Sequence, residues 1–300
     1  MRDRLTVAAV QATPSPGDVV GNAELAARLV VRSAAAGATL AVLPELLLCA
    51  YHPPTLYAGT DADIAASGDG RVDDPRLEPL RDAAREHGVA TVVGAAVRHP
   101  DGRRTCSALV IDGDGEVVVG YDKQNLWGTH EKALFTPGTR GATLDVDGWR
   151  LGLGICYDGC FPEHGRAAVD DNVDGYLCPS GFVLGSEHRR DVYYAARALD
   201  NTMYVVFANS VGRLDDEYRF NGGAAVYDPQ GRPLARAGND GEAVVAATLD
   251  RDELARVRAT HTMLADRPSG QGDPRRQLCA SGQKTSCADA AGRSSMAPSV

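Results

Sequence analysis

The sequence predicts an α/β protein built on a mixed β-sheet. Three observations carry that prediction. Short apolar runs of strand length alternate with longer segments whose apolar residues recur at helical spacing. Asp112-Gly113-Asp114-Gly115 separates two apolar runs and is a hairpin signal, so part of the sheet is antiparallel. No repeat of solenoid period is visible, and hydrophobic residues at 44% with charged residues at 24% match ordinary globular usage.

The elements follow in order. Leu5 to Val10 reads as a buried strand. Gly21 to Ala36 carries apolar residues at helical spacing and stops at Gly37, a residue suited to the left-handed turn that ends helices. Thr39 to Leu43 is a second strand, halted by Pro44, which has no N–H for a ladder. Leu77 to His87 is a helix ending at Gly88. Val89 to Val97, Ser107 to Ile111 and Glu116 to Val119 are strands. Trp149 to Ile155 and Gly175 to Cys178 continue the pattern, followed by a helix from His188 to Leu199 and a strand from Met203 to Ala208. Ala224 to Tyr227 and Ala243 to Leu249 are expected as a late pair joined by Pro- and Gly-rich turns. Asp250 to Arg258 is a final helix with an acidic residue at its start, as the helix dipole favours. Past about Arg267 the composition shifts to Pro, Ser, Gly and Gln. The folded domain is expected over residues 1–268, and residues 269–300 as a flexible tail. Cys279 and Cys287 in that tail lack a neighbouring CxxC or paired His, so no zinc site is read there.

A chain of 300 residues can bury roughly 75% of its unfolded surface, enough for a substantial core. The net charge of −9 is a poor footprint for nucleic acid, whose phosphates attract Lys and Arg, and it disfavours anionic membranes. No apolar run of about 18 residues exists to span a bilayer. The start, Met1-Arg2-Asp3-Arg4-Leu5, lacks the parts of a signal peptide, and a cytoplasmic protein is expected. The 7 cysteines, irregularly spaced, are then expected as reduced thiols.

Three segments place a reactive residue where a strand gives way to a loop. In Leu40-Ala41-Val42-Leu43-Pro44-Glu45 an apolar strand ends in Pro and then a carboxylate, and strand ends of α/β sheets gather active sites. In Tyr121-Asp122-Lys123-Gln124-Asn125-Leu126-Trp127 a lysine sits among apolar neighbours, followed by Glu131 and Phe135-Thr136-Pro137-Gly138. Such surroundings disfavour an ammonium, and a nearby carboxylate restores it. In Gly152-Leu153-Gly154-Ile155-Cys156-Tyr157-Asp158 two glycines precede a cysteine, a pattern of close packing or a sharp turn. A sulfur presented there at a helix N-terminus would have its pKa lowered by the dipole. Taken singly, each residue has a plain alternative: a strand-end Glu, a solvated Lys, a cysteine acting as a small core hydrophobe.

Together, in the order Glu, Lys, Cys, the segments resemble the nitrilase superfamily of carbon–nitrogen hydrolases. The resemblance runs from Val7 to about Pro268 and includes Leu43-Pro44-Glu45-Leu46, the Tyr-x-Lys segment, Gly154-Ile155-Cys156-Tyr157-Asp158 with Phe161-Pro162-Glu163, and Pro179-Ser180. It extends through Ala196-Arg197-Ala198-Leu199-Asp200-Asn201 to Ala208-Asn209 and Val211-Gly212. The resemblance implies a four-layer α-β-β-α sandwich assembled as a homodimer or larger. It implies Cys156 as nucleophile, Glu45 as base and Lys123 as the cation of the set. Glu131 matches the family's additional glutamate, although it lies eight residues after Lys123, one more than in many relatives, with His130 before it.

These residue types suit hydrolysis of an amide. A thiolate attacks the carbonyl, Glu45 moves the protons, and Lys123 with the Tyr157 backbone N–H stabilises the oxyanion. No metal or organic cofactor is called for, and the expected partner is a small amide. Cys-Tyr-Asp looks more like the amidase branches than true nitrilases, which tend to carry Cys-Trp-Glu. An N-carbamoyl amine or amino acid is the alternative substrate, and a nitrile a lesser one. Many relatives carry Arg four residues after the nucleophile. Here that position is Cys160, so a substrate carboxylate would need Arg189 or Arg190. A catalytically silent scaffold would lack at least one of the three core residues, and all are present. Specificity is expected from loops around residues 51–72, 126–135 and 181–190. Cys49, Cys106 and Cys178 are expected in the core, and Tyr193, Tyr194 and Arg197 as packing residues of a helix.

Overall fold

Burial on both faces of one strand organises the architecture. In the computed structural model, which describes residues 2–267, β1 (Arg4–Ala12) is buried from Val7 onward, as a strand covered on two sides must be. It leads to α1 (Val19–Ala35), where the Asp18 carboxylate accepts the Gly21 N–H at 2.9 Å and caps the helix. Then come β2 (Leu40–Val42), the short α2 (Pro53–Ala58), β3 (Ile64–Ala65), and α3 (Glu78–His87), which ends at Gly88 in the left-handed conformation. The meander β4 (Ala90–Arg98), β5 (Arg104–Ile111) and β6 (Val117–Asp122) turns at Asp112–Gly115. After α4 (Gly128–Leu134) come β7 (Ala142–Val146), β8 (Trp149–Leu153), α5 (Pro162–Asp170), β9 (Gly175–Ser180) and α6 (Glu187–Asn201). The described part closes with β10 (Tyr204–Arg213), β11 (Arg219–Asn221), β12 (Ala225–Tyr227), β13 (Pro233–Arg236), β14 (Ala243–Asp250) and α7 (Arg251–Thr260). Residues Met1–Thr262 form one unit.

The strands run in the order β6-β5-β4-β2-β1-β10-β9-β8-β7, with β14 on β1 and β12 and β13 beyond β10. β1 pairs with β10 only at Gln11 and Ala12, whereas its ladder with β14 runs from Arg4 to Gln11. The sheet therefore divides at that corner into two halves. Alternation along β9 and β10 shows how they stack. Tyr176, Cys178, Val205 and Phe207 pack with Tyr194 and Ala198 of α6, while Leu177, Tyr204, Val206 and Ala208 join the main core with β1. Helices α5 and α6 thus cover one outer face. Helices α1 and α3 pack on each other, with α1 against β2 and β14 of the other half. The result is the four-layer α-β-β-α arrangement.

Each expected strand and helix is present within a few residues, with one correction in pairing. The late strands are not partners: β12 pairs with β10 and β13, and β14 pairs with β1. Four strands, β3, β7, β11 and β13, and the helices α2 and α4 have no counterpart among the expected elements. β7 pairs with β8 around Asp147 and Gly148, both with positive φ (52° and 86°). It is only half-buried, so it lacks an apolar run, as does the largely exposed β13. No helix among the described residues is long and apolar enough to cross a membrane. The expected tail of residues 269–300, with Cys279 and Cys287, lies outside the described residues.

Candidate active site

Glu45, Lys123, Glu131 and Cys156 come from four separate segments and meet at one point. Pro44 ends β2, and the chain turns so that the Glu45 N–H reaches the Ser180 carbonyl at 3.3 Å. Gly94 of β4 permits this turn, because a Cβ there would sit 2.6 Å from Glu45 Cα. Lys123 follows β6, and its N–H bonds the Cys106 carbonyl at 2.9 Å. Its Nζ donates to Glu45 Oε1 at 2.6 Å and to Glu131 Oε1 and Oε2 at 2.9 and 2.7 Å. All three ammonium protons are used. Glu131, in the first turn of α4, also accepts the Tyr51 hydroxyl at 2.7 Å and the Trp127 N–H at 2.9 Å.

Cys156 opens a single 3₁₀ turn, Cys156–Cys160, with φ of 45°. A non-glycine residue in that region is held there by its surroundings. The Tyr194 hydroxyl donates to the Cys156 carbonyl at 2.9 Å. Asp158 accepts the Ile155 N–H (3.0 Å), the Asn125 N–H (2.8 Å) and the Tyr121 hydroxyl (2.8 Å), and so ties the cysteine turn to the lysine loop. Behind it runs a relay. The Tyr176 hydroxyl donates to His164 Nδ1, and Nε2–H donates to the Tyr121 oxygen, each at 2.9 Å. Burial holds His164 below its ordinary pKa, which keeps the neutral imidazole this relay needs. Gly154 leaves room for it, since a Cβ there would collide with the Tyr176 hydroxyl.

The electrostatics depart from the sequence expectation at the thiol. No helix N-terminus lies under Cys156, since α5 begins only at Pro162. Burial pushes the thiol well above its ordinary value, and the Glu45 charge adds to the rise, while Lys123 and the Gly181 N–H oppose it. Burial also pushes the Glu45 carboxyl from 4.5 up to about 7, opposed by Lys123 and assisted by Glu131. For Lys123, burial disfavours the ammonium, but Glu131 and Glu45 outweigh it and hold the group charged. The site therefore rests as a protonated thiol beside a base. Oε2 of Glu45 is buried and makes no close hydrogen bond among the described residues, and the Cys156 thiol faces that carboxylate as a donor in the site's electrostatics. The Tyr157 N–H has no acceptor among the described residues, as is usual in a first helical turn.

A pocket opens over Cys156. Its walls draw on all three expected specificity loops, through Tyr51, through Trp127 and Glu131, and through Phe182, Val183 and Arg189. Two expectations need correction. Arg190 is fully buried and held by Asp191, Asn221 and Gly222, so it cannot meet a substrate. Tyr193 lines the pocket in addition to packing on α6. Cys49, Cys106 and Cys178 are buried as expected, but Cys106 Sγ also lies 3.6 Å from Glu45 Oε1. Sequence reasoning assigned no role to Tyr51, Tyr121, Asp158 or His164, and read Tyr194 as a packing residue, whereas its hydroxyl also holds the Cys156 carbonyl. Tyr121 and Asp158, inside the quoted Tyr-x-Lys and Cys-Tyr-Asp segments, carried a signal.

Residues 6–259 match the carbon-nitrogen hydrolase family. The chain belongs to the carbon–nitrogen hydrolase family. A hydrolase encoded in the pqqF 5′ region of Pseudomonas protegens is 32% identical over 264 residues, 88% of this chain and 89% of that one. An (R)-stereoselective amidase from a Pseudomonas species is 36% identical over 193 residues, 64% of this chain and 68% of that one. Among solved structures, an amidase from Nesterenkonia sp. AN1 with acrylamide added at its active-site cysteine superposes with TM-score 0.72 and 29% identity. It covers 87% of this chain and 99% of that chain. This hydrolase is thus similar to amidases of the nitrilase superfamily in both sequence and fold.

Proposed function

We propose that this hydrolase cleaves small linear amides through a Cys156 acyl-enzyme. The observation that carries the reading is the free Oε2 of Glu45, whose carboxyl is poised at about 7 beside the thiol while Oε1 is anchored by Lys123. Glu45 takes the thiol proton as sulfur attacks the amide carbonyl. The oxyanion forms against the Tyr157 N–H and the Lys123 charge, and donors of this kind contribute about 100- to 1000-fold in rate. Because Glu131 holds two of the ammonium protons, direct donation to the oxyanion requires one of those bonds to be released. Glu45 returns its proton to the departing amine. It then deprotonates the water that cleaves the thioester, and the carboxylic acid leaves. The acrylamide adduct at the Nesterenkonia enzyme's cysteine supports a sulfur nucleophile in this fold. The test is ammonia release from matched amides, nitriles and N-carbamoyl amines. Turnover confined to the amides is expected, and turnover of nitriles or N-carbamoyl compounds alone would overturn the reading.

We also infer a cytoplasmic homodimer. The α6 surface exposes Val192 (51%) and Leu199 (41%), apolar groups that a two-fold partner would cover. Sedimentation at micromolar concentration should show twice the 31.6 kDa chain mass. A fully active monomer would contradict it.

A further inference from the structure

The peptide unit that joins Cys156 to Tyr157 carries a polar group at each end. Its N–H belongs to Tyr157, has no acceptor among the described residues and is the oxyanion donor of the reading above. Its carbonyl belongs to Cys156 and accepts the Tyr194 hydroxyl at 2.9 Å. The unit is trans and planar, so its oxygen and its amide hydrogen point in opposite directions. Whatever anchors the oxygen therefore fixes where the hydrogen points. Cys156 and Tyr157 line the pocket, whereas Tyr194 is fully buried in the α6 core cluster and does not. The carbonyl is thus held toward the helix layer, which leaves the N–H directed to the pocket side.

Tyr194 is itself firmly placed. Its ring lies against Phe207 with centroids 4.2 Å apart and meets Phe182 edge-on at 5.8 Å. Gly159, in the same turn as Cys156, allows the ring to approach, because a Cβ there would sit 2.7 Å from it. Burial raises the phenol well above its ordinary pKa, so the proton stays on the oxygen. That one proton goes to Cys156. The phenol oxygen faces Ser180 Oγ at 3.0 Å and Cys178 Sγ at 3.5 Å, each with a proton to donate. A donor into the phenol strengthens the bond it gives, and polarisation of the carbonyl makes the N–H on the same peptide a better donor. Cys156 is also the residue with φ of 45°, a conformation that its surroundings must hold.

We propose that Tyr194 is a positioning residue of the oxyanion hole: by holding the Cys156 carbonyl, its hydroxyl aims the Tyr157 N–H at the developing oxyanion. The inference rests on the amidase reading and adds to it a residue that never touches the substrate.

The experiment separates oxyanion stabilisation from thiol reactivity in Tyr194→Phe, which keeps both ring contacts and loses only the hydroxyl. Amide hydrolysis needs the N–H. Labelling of Cys156 by methyl methanethiosulfonate does not, since the sulfur takes a thiomethyl group and releases methanesulfinate without any attack on a carbonyl. In Tyr194→Phe kcat for a small amide should fall about 10- to 100-fold, less than the loss of a whole oxyanion donor, with KM nearly unchanged. The labelling rate at Cys156 should stay within about two-fold of the unaltered enzyme. Ser180→Ala, which removes a donor to the phenol, should show the same pattern with a smaller loss. A kcat in Tyr194→Phe within about two-fold of the unaltered value, or a change confined to KM, would overturn the assignment and leave the amidase reading standing. Equal losses in hydrolysis and labelling would also overturn it, because Tyr194 would then order the nucleophile and not the oxyanion donor. Failure of the unaltered enzyme to cleave any amide, with Cys156 still labelled, would overturn the amidase reading and this role with it.

Discussion

Cys156→Ala should reduce amide hydrolysis to background with the fold unchanged. Removal of a covalent nucleophile typically costs on the order of 10⁵- to 10⁶-fold in kcat. The structural cost is small, because the interactions that fix this turn are made by backbone and neighbours. Tyr194 bonds the Cys156 carbonyl, and Asp158 bonds the Ile155 N–H. The sulfur itself meets the Gly181 N–H and the Glu45 carboxylate. Cys156→Ser should retain a trace at most, since a carboxyl poised at about 7 is too weak a base for an alcohol. Ammonia release, with intact-mass detection of an acyl adduct in the unaltered enzyme, is the measurement. Activity of Cys156→Ala above a few per cent would rule out the acyl-enzyme.

The second large effect is expected at Glu45. Glu45→Gln keeps the side-chain shape but removes the proton acceptor, and a loss of about 100- to 10,000-fold in kcat follows. The pH profile makes the assignment specific. The base must be deprotonated, and its carboxyl is raised to about 7. In the unaltered enzyme kcat/KM should therefore fall as pH drops through about 7. That acid limb should vanish in Glu45→Gln. An acid limb that survives in the variant would assign the titration to another group.

The sign for stability is opposite. The folded-state value lies above the ordinary 4.5, so the contribution of Glu45 to stability is fully present below 4.5 and is lost as pH rises through about 7. Denaturant unfolding across that range should show a flatter pH dependence for Glu45→Gln. Lys123 behaves differently from what its motif suggests. A catalytic lysine is expected to be removable with the fold intact. Here it is fully buried between Glu45 and Glu131. Lys123→Ala leaves two carboxylates facing each other without a cation, and removing one partner of a buried pair costs about 3–5 kcal/mol.

Much of the fold was legible because local chemistry dictates it. Pro44 and the Asp112–Gly115 turn punctuate the chain, and apolar runs with period 2 or 3.6 mark buried strands and helices. β7 and β13 were not legible, since half-exposed edge strands have no apolar run to betray them. Pairing was legible only in part. That β14 adds to β1 rather than to β12 is decided by the closing of the two sheet halves, a contact some 240 residues long in sequence separation.

The site divides in the same way. The types and order of Glu45, Lys123 and Cys156 stand in the sequence, because the proton acceptor, cation and nucleophile of the proposed mechanism cannot be replaced by other side chains without losing that chemistry. Their charge states do not stand there. The thiol could have been lowered by a helix dipole or raised by burial, and the 3₁₀ turn at Cys156 and the buried carboxylates decided for the second. Arg189 and Arg190 make the division sharpest. They are adjacent and chemically identical, but successive residues on a helix point about 100° apart. One consequently lies on the pocket wall and the other is sealed among Asp191, Asn221 and Gly222. Sequence supplied the two guanidinium groups. Only the rotation of α6 against its neighbours determined which of them is free to meet a ligand.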